Sequence, residues 1–295
     1  MKERTIYALG FFDGVHRGHQ ALLEACRGLA DRYGCRAGVV TFGNHPDTLV
    51  QGSTPVLLMT APDRERILKE KFHMDTVVTL PFDEKLRSMP WLQFLLMLSE
   101  QYGAMGFVCG DDFRFGHRGQ GNASLLAEYC TVENLPHAVI PEQMVDGRRV
   151  SSTYIRGQIE SGDMETAVRF LGHPFTIHGK VVHGHQLGRT LGIPTANLLL
   201  PKELAAPKFG VYACRAVVDG KSYAAVTNVG TRPTVNGEGV TVEPWILDFE
   251  GDLYDREITL EFYKFLRPEM KFPSLAALQA EIRKNAEETR RYFEK

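Results

Sequence analysis

The order of predicted strands and helices constrains this chain more than any other feature of its sequence. Over about the first 170 residues, β-branched runs such as 37–42 and 76–80 alternate with amphipathic segments such as 19–33. Apolar residues in 19–33 recur three and four positions apart, which predicts a helix, and Gly34 follows as a C-cap. Strands that alternate with helices form parallel sheets, so we expect an α/β unit with helices on both faces of a parallel sheet.

The pattern changes near Gly172. After two short predicted helices, 153–161 and 164–171, the runs become strand-like up to about residue 267 and are separated by Gly-rich turns. Strands without intervening helices predict an all-β domain, most simply a small barrel. A last amphipathic segment, from Ser274 to about residue 293, predicts a terminal helix. We therefore expect two domains, residues 1–172 and 173–295.

Composition excludes several classes of protein. A formal net charge of −2 over 295 residues argues against a protein that holds nucleic acid mainly by neutralising phosphates. The five cysteines are widely spaced and form no CxxC pair, so neither a zinc site nor a disulfide framework is indicated and a reducing cytoplasm fits. No apolar stretch approaches the roughly 20 residues that a bilayer span requires, so we expect no membrane association.

The segment His16-Arg17-Gly18-His19 lies between a predicted strand and a predicted helix. In a parallel sheet such a loop lies at the carboxyl edge of the strands, where ligands bind. The free N–H groups of a helix N-terminus favour phosphate, and two imidazoles there can donate hydrogen bonds to it. Taken alone, the two histidines could equally be solvated loop residues. Their position between strand and helix favours phosphate binding.

Three segments of the N-terminal half resemble bacterial bifunctional riboflavin kinase/FMN adenylyltransferases, also called FAD synthetases. They are LGFFDGVHRGHQ (9–20), GDDFRFG (110–116) and VSSTYIR (150–156). The first contains the HxGH motif of nucleotidyltransferases, which bind a nucleoside triphosphate and release pyrophosphate. The resemblance implies catalytic roles for His16 and His19, ATP binding by Gly10, Phe12, Asp13, Gly18, Ser151, Ser152, Thr153 and Arg156, and flavin binding by Asn44, Asp112, Phe113 and Arg114.

From spacing alone, two of these segments have simpler explanations. The hydroxyls of 151–153 are typical of a helix N-cap with a surface Arg156 after it, and 111–116 is typical of a structural turn. The segment around Asn44 also departs from the family, because Gly43-Asn44 stands where relatives usually have a variable residue and then Pro before His-Pro.

The C-terminal half carries a Gly-rich segment, GKVVHGHQLGR (179–189), followed by LGIPTAN (191–197). The glycine spacing does not match a Walker A loop, and a lone Gly-rich turn is commonly just a hairpin. The Pro-Thr-Ala-Asn tetrad, however, is similar to that of the riboflavin kinase barrel. The resemblance implies ATP binding by Gly179, Gly184 and Gly188, Mg²⁺ binding by Thr195 and Asn197, a catalytic base at Glu243, and flavin binding by Asn228 and Arg267.

Elementary chemistry agrees with part of this assignment. Thr hydroxyl and Asn carbonyl oxygens are ligands that Mg²⁺ accepts, and a carboxylate at a strand edge can take the proton of an attacking hydroxyl. For a single residue such as Glu243, an outward-facing carboxylate without catalytic function is the commoner outcome. Pro244 departs from the family pattern and removes a backbone donor, which predicts a local edge or a bulge.

The resemblance implies two ATP-dependent steps. The barrel phosphorylates riboflavin to FMN, and the α/β domain adenylylates FMN to FAD and releases pyrophosphate, with Mg²⁺ at both sites. We expect flavins and ATP as the only partners, and a monomer or weak homo-oligomer. Two alternatives stay open: an enzyme with one inactive site, which Pro244-Trp245 would explain, and a non-enzymatic flavin-binding or flavin-transfer protein.

Overall fold

The chain divides into two compact units. The computed structural model describes residues 3–50, 52–183, 192–234 and 237–294. One unit comprises Met1–Val56 and Thr60–Ser152, and the other comprises Leu57–Met59 and Thr153–Lys295. The expected division into functional domains near residue 172 stays a prediction.

The first unit alternates strands and helices, as the sequence predicts. Its strands are β1 (Thr5–Leu9), β2 (Arg36–Phe42), β3 (Thr76–Leu80), β4 (Ala104–Gly110), β5 (Arg114–Phe115), β6 (Gly121–Asn122), β7 (His137–Ile140), β8 (Met144–Val145) and β9 (Arg148–Arg149). Its helices are α1 (Arg17–Tyr33), α2 (Pro46–Val50), α3 (Ala61–Glu70), α4 (Glu84–Ser88), α5 (Trp91–Tyr102) and α6 (Ala123–Val132). Helix α7 (Ser152–Ser161) begins at the last residue of this unit.

Five of these strands form one parallel sheet in the order β3-β2-β1-β4-β7. The chain runs outward from β1 to β3 on one side and from β4 to β7 on the other, so the direction of winding changes between β1 and β4. In sheets of this kind, ligands bind beyond the carboxyl ends of the strands at that change. The loops after β1 and β4 carry two of the three segments that resemble the adenylyltransferase.

Helices cover both faces of the sheet. On one face, apolar residues of α5 and α6 such as Leu95, Leu98 and Leu126 pack in one cluster with Leu9 and Phe107. The alternate strand residues are also buried, and α1 contacts β1, β2, β4 and β7. The Sγ of Cys26 on α1 lies 3.2 Å from the carbonyl oxygen of Ile6. The expected doubly covered parallel sheet is confirmed.

The second unit is a barrel with helices. After α7 it contains α8 (Met164–Leu171), β10 (Phe175–Lys180), β11 (Leu198–Leu199), β12 (Gly210–Val218), β13 (Lys221–Thr234), β14 (Gly237–Ile246), β15 (Glu257–Arg267) and α9 (Leu275–Phe293). The strands pair in the order β10-β15-β12-β13-β14-β11, and every pairing is antiparallel. Just beyond the two edge strands, the N–H of Val182 donates to the carbonyl of Asn197 at 2.8 Å, which nearly closes the barrel. The expected small barrel with a terminal helix is confirmed.

Pro244 does not interrupt its strand. The register of β13 and β14 is continuous from Ala225↔Ile246 to Thr234↔Gly237, without a bulge. The carbonyl of Pro244 accepts a hydrogen bond from the N–H of Ala196 at 2.9 Å, so the side of the residue that lacks a donor faces away from β13. On that side, among the residues that the structure describes, β14 pairs with the two-residue β11, so Pro244 lies near the edge of the sheet.

Candidate active sites

The loop after β1 forms a tight turn that leads into α1. A 3₁₀ turn spans Asp13–Val15, and His16 is the N-cap of α1. The Nδ1 of His16 accepts a hydrogen bond from the N–H of His19 at 3.3 Å. The two imidazoles stack with their centroids 3.6 Å apart and their planes 9° from parallel. A Cβ at Gly18 would lie 3.1 Å from the Cε1 of His16, so the small residue allows the stack.

The backbone of this turn adopts an unfavourable conformation. Phe12 and Val15 have positive φ angles of 60° and 38°, which are costly for side chains other than glycine and most so for a β-branched one. Three side chains secure the turn by donating hydrogen bonds to its carbonyls: Thr41 to Phe11 at 2.9 Å, Gln20 to Val15 at 2.8 Å and Ser152 to Asp13 at 3.0 Å. Such strain persists only where the surroundings fix it, and it is common at functional sites.

Several predicted ATP ligands belong to this turn. Phe12 and Asp13 are buried in it, and the Phe12 ring lies 3.1 Å from where a Cβ at Gly10 would be. Ser152 contacts the turn directly, and Ser151 precedes it in the same unit. Thr153 and Arg156 continue α7 in the other compact unit, and their binding of ATP phosphates stays a prediction.

Electrostatics make His19 a neutral group. Burial lowers its pKa well below the ordinary value, and the nearby His16 and Arg64 lower it further. Its Nδ1 is buried and, within the described part of the chain, has no hydrogen-bond partner. At neutral pH the imidazole therefore offers a ligand a hydrogen bond and no positive charge.

Arg64 is a buried cation that sequence reasoning missed. It lies on α3, its side chain is 1 % exposed, and its guanidinium lies over the ring of Phe11 with Cζ 4.4 Å from the centroid. Burial lowers its pKa to about 10, and Asp13 opposes that shift, so the group stays protonated at neutral pH. In the sequence it stands in the charged run 63–66, which is typical of a solvated helix face, so no local signal distinguishes it.

An apolar cavity of about 660 Å³ lies in the first unit. Aromatic and aliphatic side chains make much of its wall, with Arg114 and Arg118 among the polar ones. The volume and the apolar lining suit a flat heteroaromatic ring. Its lining residues include Phe42, Val50, Phe82, Leu86, Phe94, Arg114 and Phe115.

The four predicted flavin ligands of this unit have different positions. Arg114 lines the cavity, whereas Asp112 pairs with Arg149 at 2.5 Å and Phe113 stacks on Phe115 at 5.4 Å between centroids. The carboxamide of Asn44 donates to the carbonyl of Phe82 and accepts from its N–H, both at 2.9 Å. Asn44 therefore joins the loops after β2 and β3, and its contact with flavin stays a prediction.

In the barrel, four predicted site residues fall on one row across the sheet. Glu243 on β14 is the register partner of Asn228 on β13, and Val211 on β12 pairs with both Asn228 and Arg267. Asn197 completes the row on the other side of Glu243, because Leu198 pairs with Val242 and the N–H of Ala196 bonds to Pro244. Register partners in antiparallel strands project to the same face, so a carboxylate stands between two carboxamides.

Thr241 supports this row, although sequence reasoning missed it. Its hydroxyl lies 3.2 Å from Oε1 of Glu243 and 3.4 Å from the carbonyl oxygen of Gly230, and can donate to either. Thr241 is 7 % exposed, so water competes weakly for this hydrogen bond. The carboxylate of Glu269 lies over Gly230, the register partner of Thr241, where it leaves no room for a Cβ. Thr241 and Glu243 share a face because they are two residues apart on β14, and the register of the hairpin brings Gly230 beside them.

Residues of the terminal helix hold the side chain of Arg267 in place. Its Nε donates to Oδ1 of Asn285 at 3.0 Å and lies 3.7 Å from Oε1 of Glu281, and Cζ is 5.5 Å from the ring centroid of Phe272. Burial lowers its pKa, and Glu281 opposes that shift. The side chain is thus fixed in one orientation at one end of the row.

The predicted metal ligands fit a hard cation in part. Thr195 lines a small cavity of about 80 Å³ at the end of the barrel, and Asn197 stands in the row beside Glu243. Hydroxyl, carboxamide and carboxylate oxygens are the donors Mg²⁺ prefers. Among the described residues, no cluster of three or more His, Cys, Asp or Glu side chains forms a ready metal site, so nucleotide phosphates would have to complete the coordination. Gly179 lies in β10, whereas Gly184 and Gly188 lie outside the described residues.

Comparisons with known proteins cover the whole chain. A family model of FAD synthetase matches residues 1–154, and one of riboflavin kinase matches residues 171–293. Curated bifunctional riboflavin kinase/FMN adenylyltransferases are similar over most of both chains. The one from Pseudomonas fluorescens is 39 % identical over 94 % of this chain and 89 % of its own, and the one from Escherichia coli K12 is 34 % identical over 99 % and 94 %.

A solved structure from Streptococcus pneumoniae, described as a macrolide-efflux protein, has a similar fold along the whole chain. It superposes with a TM-score of 0.88 at 29 % identity and covers 98 % of this chain and 95 % of its own. Within residues 3–294, as far as they are described, no helix of this protein is long and apolar enough to cross a bilayer.

Proposed function

The chain belongs to the family of bifunctional riboflavin kinase/FMN adenylyltransferases and makes FMN from riboflavin and FAD from FMN, and we propose that the two steps use the two residue sets described above. ATP is the co-substrate of both steps. The observation that carries the two-site proposal is the separation of these sets: the His16–His19 turn lies in one compact unit, and the Glu243 row lies in the other.

In the kinase step, Glu243 accepts the proton of the riboflavin 5′-hydroxyl while that oxygen attacks the γ-phosphate of ATP. The carboxylate is oriented by the hydroxyl of Thr241 and flanked by the carboxamides of Asn197 and Asn228. Phosphoryl transfer depends mostly on positioning and charge neutralisation. Mg²⁺, when bound, supplies part of that neutralisation, and Thr195 and Asn197 are the residues that would hold it.

In the adenylyl-transfer step, the phosphate of FMN attacks the α-phosphate of a second ATP, and pyrophosphate leaves. No protein nucleophile is required, because the attacking phosphate is already anionic. His16 and His19 donate hydrogen bonds to the triphosphate beside the N-terminus of α1, whose free N–H groups favour phosphate. The apolar cavity near Phe42 and Phe82 accepts the flavin ring, with Arg114 at its wall.

The structure weighs against a dead kinase site. Pro244, the residue that departs from the family pattern, leaves the register of β13 and β14 intact and is buried on the opposite face of the strand from Glu243. The row therefore keeps its geometry despite the substitution. A protein that only binds flavin needs no proton acceptor, whereas Glu243 provides a carboxylate between the carboxamides of Asn197 and Asn228.

A product time course with riboflavin, ATP and Mg²⁺ tests the proposal. FMN should appear first and FAD second. Glu243→Gln should form no FMN from riboflavin but should still convert added FMN to FAD. His19→Ala should form FMN from riboflavin but no FAD. Glu257→Gln on β15 and His137→Ala on β7 are matched controls that should keep both activities. Loss of both activities in either folded site variant would contradict the two-site assignment, and chelation of Mg²⁺ should stop both steps.

Three further features stay proposals. A cytoplasmic location rests on the free, widely spaced cysteines. A monomer or weak homo-oligomer is expected. The Mg²⁺ requirement rests on the oxygen donors of Thr195 and Asn197.

A further inference from the structure

Arg64 is a buried side chain whose hydrogen-bonding capacity is only partly used. Nη2 donates to the carbonyl of Phe42, and the ring of Phe11 lies against one face of the guanidinium. Nε and Nη1 are buried, and within the described part of the chain neither meets an acceptor. Because a buried charged donor without a partner is costly, such a group calls for a partner that arrives from outside the fold.

The position of Arg64 indicates which partner. His19 of the phosphate-binding turn is close enough for Arg64 to lower its pKa. On another side, Phe42 accepts a hydrogen bond from Arg64 with its carbonyl and lines the apolar cavity with its ring. The guanidinium therefore lies between the turn proposed to bind ATP and the cavity proposed to bind the flavin ring. A phosphate at the end of the flavin side chain would reach this place.

Charge supports an anionic ligand here. The pKa of His19 is depressed, so its imidazole is neutral at neutral pH, whereas Arg64 keeps its proton. Asp13 attracts the guanidinium but provides no acceptor for Nε or Nη1. Two phosphates that approach each other carry like charges, and a fixed cation between them reduces their repulsion.

We propose that Arg64 is a catalytic residue of adenylyl transfer, whose free N–H groups bind the phosphate of FMN and hold it beside the α-phosphate of ATP. An oxygen of the FMN phosphate forms the new bond to the α-phosphorus, and the bond from that phosphorus to the bridging oxygen breaks and releases pyrophosphate. Arg64 keeps its proton throughout. This inference rests on the proposed assignment of the two substrates to the first unit.

The test compares three variants of α3. Arg64→Met removes the donors and the charge at nearly the same volume, and Arg64→Lys restores the charge. Arg66→Met is the matched control, because Arg66 lies on the same helix, is partly exposed and pairs with Asp63 at 3.1 Å. The assay measures FAD and pyrophosphate formation from added FMN and ATP, and circular dichroism with thermal unfolding checks that the unit containing Arg64 is folded.

We expect Arg64→Met to lower kcat/KM for FMN by roughly 100-fold or more, the usual effect of losing two hydrogen bonds to a charged group, while the KM for ATP changes little. Arg64→Lys should recover part of the loss, and Arg66→Met should stay within about twofold of wild type. Adenylylation by folded Arg64→Met within about threefold of wild type would overturn the proposal.

A second measurement separates phosphate binding from a structural role. Riboflavin lacks the phosphate, so its inhibition constant against FMN, measured in a Glu243→Gln background, should not change when Arg64 is replaced, while the KM for FMN rises. If both constants rise together, Arg64 shapes the cavity and the proposal is wrong. If the wild-type protein forms no FAD from FMN, the proposed function itself fails, which is a different result.

Discussion

Replacing Thr241 with valine removes one hydroxyl from beside the carboxylate of Glu243. Valine has the same shape, and Thr241 is 7 % exposed, so the substitution fills the site without a cavity. The lost donor lies 3.2 Å from Oε1 of Glu243 and 3.4 Å from the carbonyl oxygen of Gly230. Glu243 would then lose one of the contacts that orient its carboxylate in the row formed with Asn197 and Asn228.

The size of the effect follows from the geometry. A hydrogen bond to a charged acceptor contributes about 1.5–3 kcal/mol. At 3.2 Å, and with the hydroxyl hydrogen shared between two acceptors, the lower end applies. About 1.5 kcal/mol of lost orientation corresponds to a roughly tenfold lower kcat for riboflavin phosphorylation.

The assay is the initial rate of FMN plus FAD formation at saturating riboflavin and ATP. Thr241→Ser keeps the hydroxyl and should stay close to wild type. Thr227→Val is the control on the adjacent strand β13, since Thr227 is buried beside Cys214, on the face of β13 opposite to Asn228. A folded Thr241→Val protein with the wild-type rate, or a Thr241→Ser protein as slow as Thr241→Val, would refute the reasoning.

Three further predictions concern stability. The unfolded chain protonates His19 near pH 6.5 and the folded chain only at lower pH, so stability should fall as pH drops below about 6.5, by up to about 1.4 kcal/mol per pH unit, and urea unfolding at about pH 7 and about pH 5.5 should show a smaller difference in His19→Gln. Gly38→Ala would place a Cβ 2.5 Å from Cε1 of Tyr7 and should cost about 1–3 kcal/mol in the same assay, and a wild-type midpoint would contradict this. His73→Gly should raise the free energy of unfolding by about 1 kcal/mol, because His73 is exposed at a φ of 51°, and thermal unfolding checks the sign.

Much of the fold could be predicted because its elements are long and periodic. The strand Thr76–Leu80 and the helix Met164–Leu171 have the predicted bounds. Elements that were missed are short, such as α2 and α4 with five residues each, since one turn of helix gives no periodic signal. The ends of strands β13 and β14 could not be predicted, because pairing in the hairpin, and not local propensity, sets them.

The same contrast between local pattern and tertiary packing applies to the residues of the two sites. The turn that brings His16 and His19 together could be predicted because His16, Gly18 and His19 are neighbours in sequence at a strand-to-helix junction, and its binding of phosphate stays a proposal. Arg64 could not, because only the packing of α3 against the turn buries it. Thr241 lies two residues before Glu243 on one strand, so strand alternation places both side chains on the same face, but it does not predict the side-chain conformation that joins the hydroxyl to the carboxylate.

The spacing of the row in the barrel limits which mutations this protein can accept without altering the row. Strands lie about 4.8 Å apart, so the five positions from Asn197 to Arg267 span roughly 19 Å along the curved sheet at regular intervals. Substitutions of residues whose side chains point into the barrel can alter its interior volume and leave the spacing of these five positions unchanged. A single inserted or deleted residue in β13 would turn the side chain of Asn228 inward and remove it from the row. The row proposed as the kinase site therefore keeps its geometry when residues inside the barrel are substituted and loses it when a residue is inserted within these strands.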